Sequence, residues 1–131
     1  MGDSLPFVDL GQGQTATAAS TAAVISCGIL EPGNVKCWGS GILGTPPRGA
    51  VGDQPGEMGD VLPFVSLGSG AAAVAISTGG YIGHMCVVLK TGAVKCWGAN
   101  YNCELGLGND GAPRGLNVDE MGDNLPAVSI F

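Results

Sequence analysis

The chain is 131 residues long, enough for one modest domain, and its 5 basic and 11 acidic residues give a net charge of −6. Hydrophobic residues make up 45% of it, which excludes a disordered acidic tail, and the scarcity of Lys and Arg argues against nucleic acid as a partner. Its 24 Gly and 8 Pro residues leave little room for long helices, and no apolar stretch approaches the roughly 20 residues of a membrane-spanning helix. We therefore expect an all-β chain that does not insert into a membrane.

The chain opens on a phrase that recurs twice. Met-Gly-Asp-x-Leu-Pro-Phe-Val-x-Leu-Gly occupies residues 1–11 and 58–68, and a variant with Ala in place of Phe occupies residues 121–130. We call these three stretches junction segments 1, 2 and 3. A second phrase, Val-Lys-Cys-Trp-Gly, occupies residues 35–39 and 94–98. Two markers that recur at nearly one period, about 60 residues, indicate tandem structural repeats.

The spacing of these markers divides the chain into three parts. Repeat 1 is predicted over residues 1–57 and repeat 2 over residues 58–120. Residues 121–131 are predicted to begin a further repeat with an outer strand.

Each repeat is predicted to contain a tight β-hairpin. The connecting loop has three residues and ends in Gly, which is typical of a hairpin whose last loop residue has a positive φ angle. Gly33 and Gly92 are therefore assigned this structural position. The paired strands are expected over residues 27–30 with 34–38, and over residues 86–89 with 93–97.

Two further strands complete the predicted sheet. Residues 62–67 predict an outer strand that tolerates a proline near its start, and residues 73–77 predict the remaining strand. Four short strands at this period are typical of a propeller blade. The predicted fold is therefore all-β, with two four-stranded antiparallel propeller blades.

Residues of repeat 2 resemble the regulator of chromosome condensation repeat family. Blades of that family carry a Gly-Gly-x-His-x-Cys-x-Leu strand, a glycine turn and a Val-x-Cys-Trp-Gly strand. A loop of the form Asn-x-x-Gly-Gln-Leu-Gly-Leu-Gly follows. The departures are an apparent insertion of Ile82-Gly83, Cys103 in place of Gly and Glu104 in place of Gln; in repeat 1, Ile25 replaces the His and residues 40–47 lack the loop signature. The matching residues are Gly79, Gly80, His84, Cys86, Leu89, Gly92, Cys96, Trp97, Gly98, Asn100 and 105–108.

The resemblance implies a propeller, usually of seven blades, that acts mostly as an interaction platform. Two blades cannot close a ring, and open blades expose sheet edges that attract other chains. We therefore expect further repeats of the same chain, or other protein subunits, to cover these edges.

The five cysteines predict a redox compartment. The hairpin register places Cys27 opposite Cys37 and Cys86 opposite Cys96, with Cβ atoms about 4.5–5.5 Å apart. This geometry predicts one cross-strand disulfide in each repeat, and so an oxidising compartment, extracellular or inside an organelle. Buried thiols that pack as small hydrophobes are the alternative. Cys103 is the odd one of the five and could remain a thiol, bond to a partner or pack in a loop.

No catalytic, metal or cofactor site is predicted. His84, Cys86, Cys96 and Cys103 formally make a Cys₃His set, but their spacing does not match the paired knuckles of structural zinc sites. His84 is the only histidine, and nothing near it resembles a nucleophile motif, so a structural role is expected.

The two tryptophans and the function complete these expectations. Trp38 and Trp97 end the same strand in both repeats, which favours a packing role. We expect a non-catalytic interaction scaffold or an accessory subunit of a larger assembly. The alternative is guanine-nucleotide exchange on a small GTPase, an activity of the resembled family that fold kinship alone does not transfer.

Overall fold

A computed structural model describes residues 2–46, 49–108 and 111–130, and shows an all-β chain with two antiparallel sheets. Met1, Pro47 and Phe131 lie outside the described residues. The first and last lie at the ends of the predicted parts, and Pro47 ends the stretch that lacks the loop signature. Sheet 1 has the order β1-β2-β3-β4 and sheet 2 the order β5-β6-β7. The strands are β1 (Ala16–Thr21), β2 (Ile25–Leu30), β3 (Asn34–Gly41), β4 (Gly49–Val51), β5 (Ala73–Gly79), β6 (His84–Leu89) and β7 (Val94–Gly98).

Helical geometry in the described ranges is confined to three-residue 3₁₀ turns. None of them is long or apolar enough to cross a membrane. These turns are Gly2–Ser4, Gly59–Val61, Val118–Glu120 and Gly122–Asn124. Three of the four begin at the Gly-Asp of a junction segment, so the recurring phrase produces the same local bend each time.

Both predicted hairpins form with the predicted register. Cys27 pairs with Cys37 between β2 and β3, and Cys86 pairs with Cys96 between β6 and β7. At the end of the two connecting loops, Gly33 has φ 133° and Gly92 has φ 87°. An L side chain rarely adopts these angles, which is why the loops end in glycine.

The predicted outer strand is wrong. Residues 62–67 run beside β3, where the N–H of Val65 donates to the carbonyl of Val35 at 2.8 Å, but they do not form a strand. Pro63 has no N–H to donate, so a continuous ladder cannot form there. The fourth strand of sheet 1 is β4 instead.

Sheet 2 also departs from the four-stranded prediction. Within the described ranges three strands form it, and its outer edge receives isolated bridges, from Ala127 to Lys95 and from Arg114 to Gly98. Ala127 belongs to junction segment 3, so the predicted outer strand over residues 121–131 is reduced to one bridge within the described part of that segment. Two equal four-stranded blades are therefore not what the chain forms.

The core lies where the two sheets meet. Strand β5 packs against β1 and β2 of sheet 1. The hydroxyls of Ser20 on β1 and Thr78 on β5 are 2.9 Å apart, and the N–H of Thr78 donates to Ser20 Oγ at 3.0 Å. Both sheets and the later junction segments contribute apolar side chains to one cluster. Its buried members include Ile25, Cys27, Ile29, Val35, Leu43, Val65, Leu67, Met85, Val87, Trp97, Met121 and Leu125.

Candidate interaction site

Each junction segment is hydrogen-bonded to the next one along the chain. The N–H of Gly59 in segment 2 donates to the carbonyl of Asp9 in segment 1 at 3.0 Å. The N–H of Gly122 in segment 3 donates to the carbonyl of Ser66 in segment 2 at 2.9 Å. These pairs occupy equivalent places in the phrase, so the chain repeats one junction at the end of both repeats.

A buried lysine lies at the first junction. Lys36 on β3 is 2% exposed, and its Nζ donates to the carbonyls of Leu10 and Gly59, both at 2.8 Å. The ammonium also lies 4.8 Å from the centre of the Phe64 ring, within the range of a cation–π interaction. Burying an ammonium is costly unless its donors are satisfied, and here two consecutive junction segments supply the acceptors.

The second junction repeats this arrangement. Lys95 on β7 is half-buried, and its Nζ donates to the carbonyls of Leu67 and Gly122, both at 2.8 Å. Each lysine therefore connects the hairpin of its own repeat to the junction segments before and after it.

The aspartates of the phrase complete each junction. The carboxylate of Asp60 accepts the N–H of Gln12 at 2.9 Å. The carboxylate of Asp123 accepts the N–H and the hydroxyl of Ser69 at 2.8 and 2.7 Å. The hydroxyl of Ser69, its backbone N–H and the nearby charge of Lys95 hold the pKa of Asp123 below its usual value.

A glutamate anchors the loop in front of each junction. Glu57 accepts the N–H groups of Gly52 and Gln54 at 2.8 and 3.1 Å. Glu120 accepts three successive N–H groups, from Gly115, Leu116 and Asn117, at 2.9–3.1 Å. Desolvation opposes the ionisation of Glu120, but these N–H groups outweigh it and lower the pKa of the carboxyl.

Junction segment 1 has no hairpin over it in the described chain. Leu5 is 61% exposed, whereas its counterparts Leu62 and Leu125 are 2% and 1% exposed. Phe7 and Val8 are 100% and 55% exposed. We call Leu5, Phe7 and Val8 the open edge. The leucine that completes the core in segments 2 and 3 faces solvent here, and Val8 is far more exposed than its counterpart Val65, which is 5% exposed.

Both predicted disulfides are present, Cys27–Cys37 and Cys86–Cys96, which is compatible with an oxidising compartment. Cys103 is exposed in the loop after β7 and belongs to neither bond. Because Cys86 and Cys96 are bonded to each other, the formal Cys₃His set is not assembled. Across the described ranges no group of three His, Cys, Asp or Glu side chains is placed to hold a metal ion.

The two tryptophans have different surroundings. Trp97 is fully buried, and its Nε1 donates to the carbonyl of Leu43 in the loop after β3 of the preceding repeat at 3.2 Å. Trp38, the counterpart in repeat 1, is half-buried. Trp97 therefore packs between the repeats. His84 opens β6 opposite Gly98 and is half-buried.

A small cavity lies beside His84. It has a volume of about 340 Å³ and is lined by the loop between β5 and β6 and by the loop after β7. Tyr81 from the first loop is 84% exposed and Tyr101 from the second is 63% exposed. We call this the tyrosine cavity; His84 and Glu104 also line it.

The loop that carries Tyr101 is held from within. Asn100 is fully buried, its side-chain amide donates to the carbonyl of Ala112 at 3.0 Å, and its Oδ1 accepts the N–H of Leu105 at 2.9 Å. Glu104 accepts the N–H and the side-chain amide of Asn102 at 3.0 and 3.2 Å. The backbone N–H groups of Glu104 and Asn102, the Asn102 side chain and the nearby His84 charge lower the pKa of the Glu104 carboxyl. These hydrogen bonds therefore fix the conformation of the loop that forms this wall of the tyrosine cavity.

Sequence reasoning missed the lysines and the tyrosines. The signal for Lys36 and Lys95 is a charged residue that recurs between Val and Cys of an apolar strand. The insertion of Ile82-Gly83 is visible in the sequence, but no sequence pattern links Tyr81 beside it with Tyr101.

Comparison with known proteins gives distant similarities. No family model matches the chain. It is 30% identical over 118 residues to a bifunctional serine/threonine-protein kinase/NEDD4-like E3 ubiquitin-protein ligase of Dictyostelium discoideum, covering 90% of this chain and 6% of that protein. The fold is similar to that in the crystal structure of human WBSCR16, with a TM-score of 0.61 and 18% identity, over 96% of this chain and 28% of that one. The chain thus spans a small part of each, and the second similarity shows the fold alone.

Proposed function

We propose that the chain is a pair of propeller blades of the regulator of chromosome condensation type, and that it serves as a non-catalytic protein-interaction scaffold. The open edge is the observation that supports this most. Leu5, Phe7 and Val8 carry the sequence that receives a hairpin at both later junctions, and they are exposed. Neighbouring exposed apolar side chains of this kind favour a protein partner.

The repeated junction supports the blade assignment. Junction segment 2 follows sheet 1 and precedes sheet 2, and each lysine takes acceptors from two segments. An arrangement in which every unit contacts only its neighbours extends to any number of repeats. The similarity to one stretch within each of two longer proteins fits such an array.

The expected occupant of the open edge is a hairpin with a Val-Lys-Cys-Trp-type outer strand, from a further repeat or from another subunit. Its lysine would meet the carbonyl of Gly2, as Lys36 meets that of Gly59. The two disulfides support a place in a lumen or outside the cell, as an accessory subunit of a larger assembly.

The test adds one repeat in front of the chain, by duplicating residues 1–57 ahead of the native sequence. The native segment 1 then follows a hairpin as segment 2 does. We expect the amide of Val8 to become protected from hydrogen exchange by about 100-fold, because its counterpart Val65 bonds to the carbonyl of Val35.

The matched control carries Lys36→Met in the added copy only, and should lose most of this protection. Unchanged exchange at Val8 in the extended protein would contradict the proposal. The exchange-factor alternative is checked separately by the release of labelled GDP from small GTPases. If the extended protein accelerates GDP release, the scaffold hypothesis is replaced by a regulatory function.

A further inference from the structure

The two repeats share their junctions but differ in the connection between their first two strands. Ser20 pairs with Cys27 in sheet 1, and the equivalent Ser77 pairs with Cys86 in sheet 2. The connection from Ser77 to Cys86 is therefore two residues longer than that from Ser20 to Cys27, and it extends the strand pairing by one pair, Gly79 with His84. The loop beyond this pair carries the exposed Tyr81 and lines the tyrosine cavity.

The composition of the tyrosine cavity is that of a recognition site. Tyrosine rings are enriched in protein interfaces, because a ring offers a large contact area and loses little conformational freedom. Tyr81 and Tyr101 stand on different loops and line the same cavity, and the buried Asn100 fixes the second loop. The rim therefore presents two aromatic side chains that the core of the chain does not use.

The geometry points to an arginine side chain of a partner protein as the occupant of the tyrosine cavity, stacked on Tyr81 and Tyr101 and donating to the carboxylate of Glu104. A guanidinium suits this setting better than an ammonium, because it is planar, weakly hydrated and stacks on aromatic rings. The chain's net charge of −6 also favours a basic partner.

The carboxylate of Glu104 has capacity for this donor. A carboxylate offers about four acceptor positions, and the N–H and side-chain amide of Asn102 use two of them. Among the described residues these two donors orient the carboxylate, which keeps acceptor capacity for the guanidinium of a partner. The bond to a guanidinium is charge-assisted, which makes it one of the stronger hydrogen bonds available at a surface.

This inference deepens the proposed scaffold role, because it names the chemistry of one partner contact. Its test does not depend on the open edge. Isotope-labelled chain is titrated with acetyl-Gly-Arg-Gly-amide at about pH 8, where carboxylates are ionised and arginine is charged. We expect saturable NMR shifts at Tyr81, Tyr101 and Glu104, with a low-millimolar dissociation constant.

Two ligand controls define what is recognised. The same tripeptide with citrulline keeps the shape of arginine without its charge, and the lysine tripeptide keeps the charge without the planar group. Both should bind at least about fivefold more weakly than the arginine tripeptide. Equal binding of either one, or no saturable shift with arginine, would overturn the assignment.

Two variants locate the binding. Glu104→Gln and Tyr81→Leu should each weaken the arginine tripeptide by about fivefold or more. Tyr81 is 84% exposed and lies on the opposite loop, so a loss of binding in Tyr81→Leu does not come from a disrupted Glu104 loop. Glu31→Gln, an exposed glutamate in the hairpin loop of repeat 1, is the matched control and should bind as the native chain does. Unaltered binding by both cavity variants would disprove the site even if the open-edge experiment succeeds.

Discussion

Replacing Lys36 by Met tests whether the buried lysine stabilises the junction. The substitution removes two charge-assisted hydrogen bonds, to Leu10 and Gly59, and leaves two backbone carbonyls without that donor. Each such bond contributes about 1.5–3 kcal/mol, and the methionine recovers part of the loss because no ammonium has to be desolvated. We expect a net loss of about 3 kcal/mol in the free energy of unfolding, or a fall of roughly 12 °C in Tm for a chain of this size.

The assay is urea denaturation followed by tryptophan fluorescence, with Lys90→Met as the matched control. Lys90 is exposed in the hairpin loop of repeat 2, so its substitution should change stability by less than about 0.5 kcal/mol. Lys95→Met should lie between the two, because water can reach the half-buried second junction and partly satisfy its carbonyls. If Lys36→Met lies within about 1 kcal/mol of Lys90→Met, the junction is not held by its lysine.

Three further predictions follow from separate features of the fold. The double variant Cys27→Ala/Cys37→Ala opens a 10-residue cross-link and should lower the free energy of unfolding by about 2.5 kcal/mol, measured in urea with the native chain as reference. Gly59→Ala should lower the free energy of unfolding at least twice as much as Gly2→Ala, although both residues have positive φ. The reason is that a Cβ at residue 59 would meet a carboxylate oxygen of segment 1 at 2.6 Å, whereas a Cβ at residue 2 would meet nothing within 4 Å. Glu120→Gln should lower the free energy of unfolding near neutral pH but not in strong acid. The reason is that folding lowers the pKa of Glu120, so the ionised carboxylate stabilises the fold fully above the ordinary pKa of 4.5 and loses this effect as the pH falls through the pKa of the folded state.

Each of these has an outcome that would contradict it. Equal stability of the double cysteine variant and the native chain would mean that the bond is absent in solution. Equal costs of the two glycine substitutions would remove the evidence for close packing between segments 1 and 2. A stability difference for Glu120→Gln that stays constant from neutral to acid pH would show that ionisation of the loop glutamate does not stabilise the fold.

The hairpins were predictable because their information is local. A three-residue loop ending in Gly33 fixes the register, and the register alone places Cys27 opposite Cys37. Both copies of the repeated phrase have to satisfy the same geometry, which favours one register for the two hairpins. The all-β class followed from composition and these hairpins, without any knowledge of how the sheets pack.

The outer strand was mispredicted because its position depends on contacts between distant parts of the chain. Residues 62–67 look like a strand by composition, but Pro63 interrupts the ladder and Ser66 turns its carbonyl to Gly122 in the next segment. The site was missed for a related reason. The sequence shows Tyr81 and Tyr101 in two separate loops, and only the pairing of β6 with β7 brings those loops to one cavity.

The junction has a consequence for how such a chain can change its length. Because the segments that flank each repeat have nearly the same sequence and make the same contacts, a gene duplication or deletion with both endpoints inside them adds or removes one whole period. Every lysine in the recombined product still finds one carbonyl in the segment before it and one in the segment after it. The number of repeats can therefore vary between descendants without any new interface having to evolve.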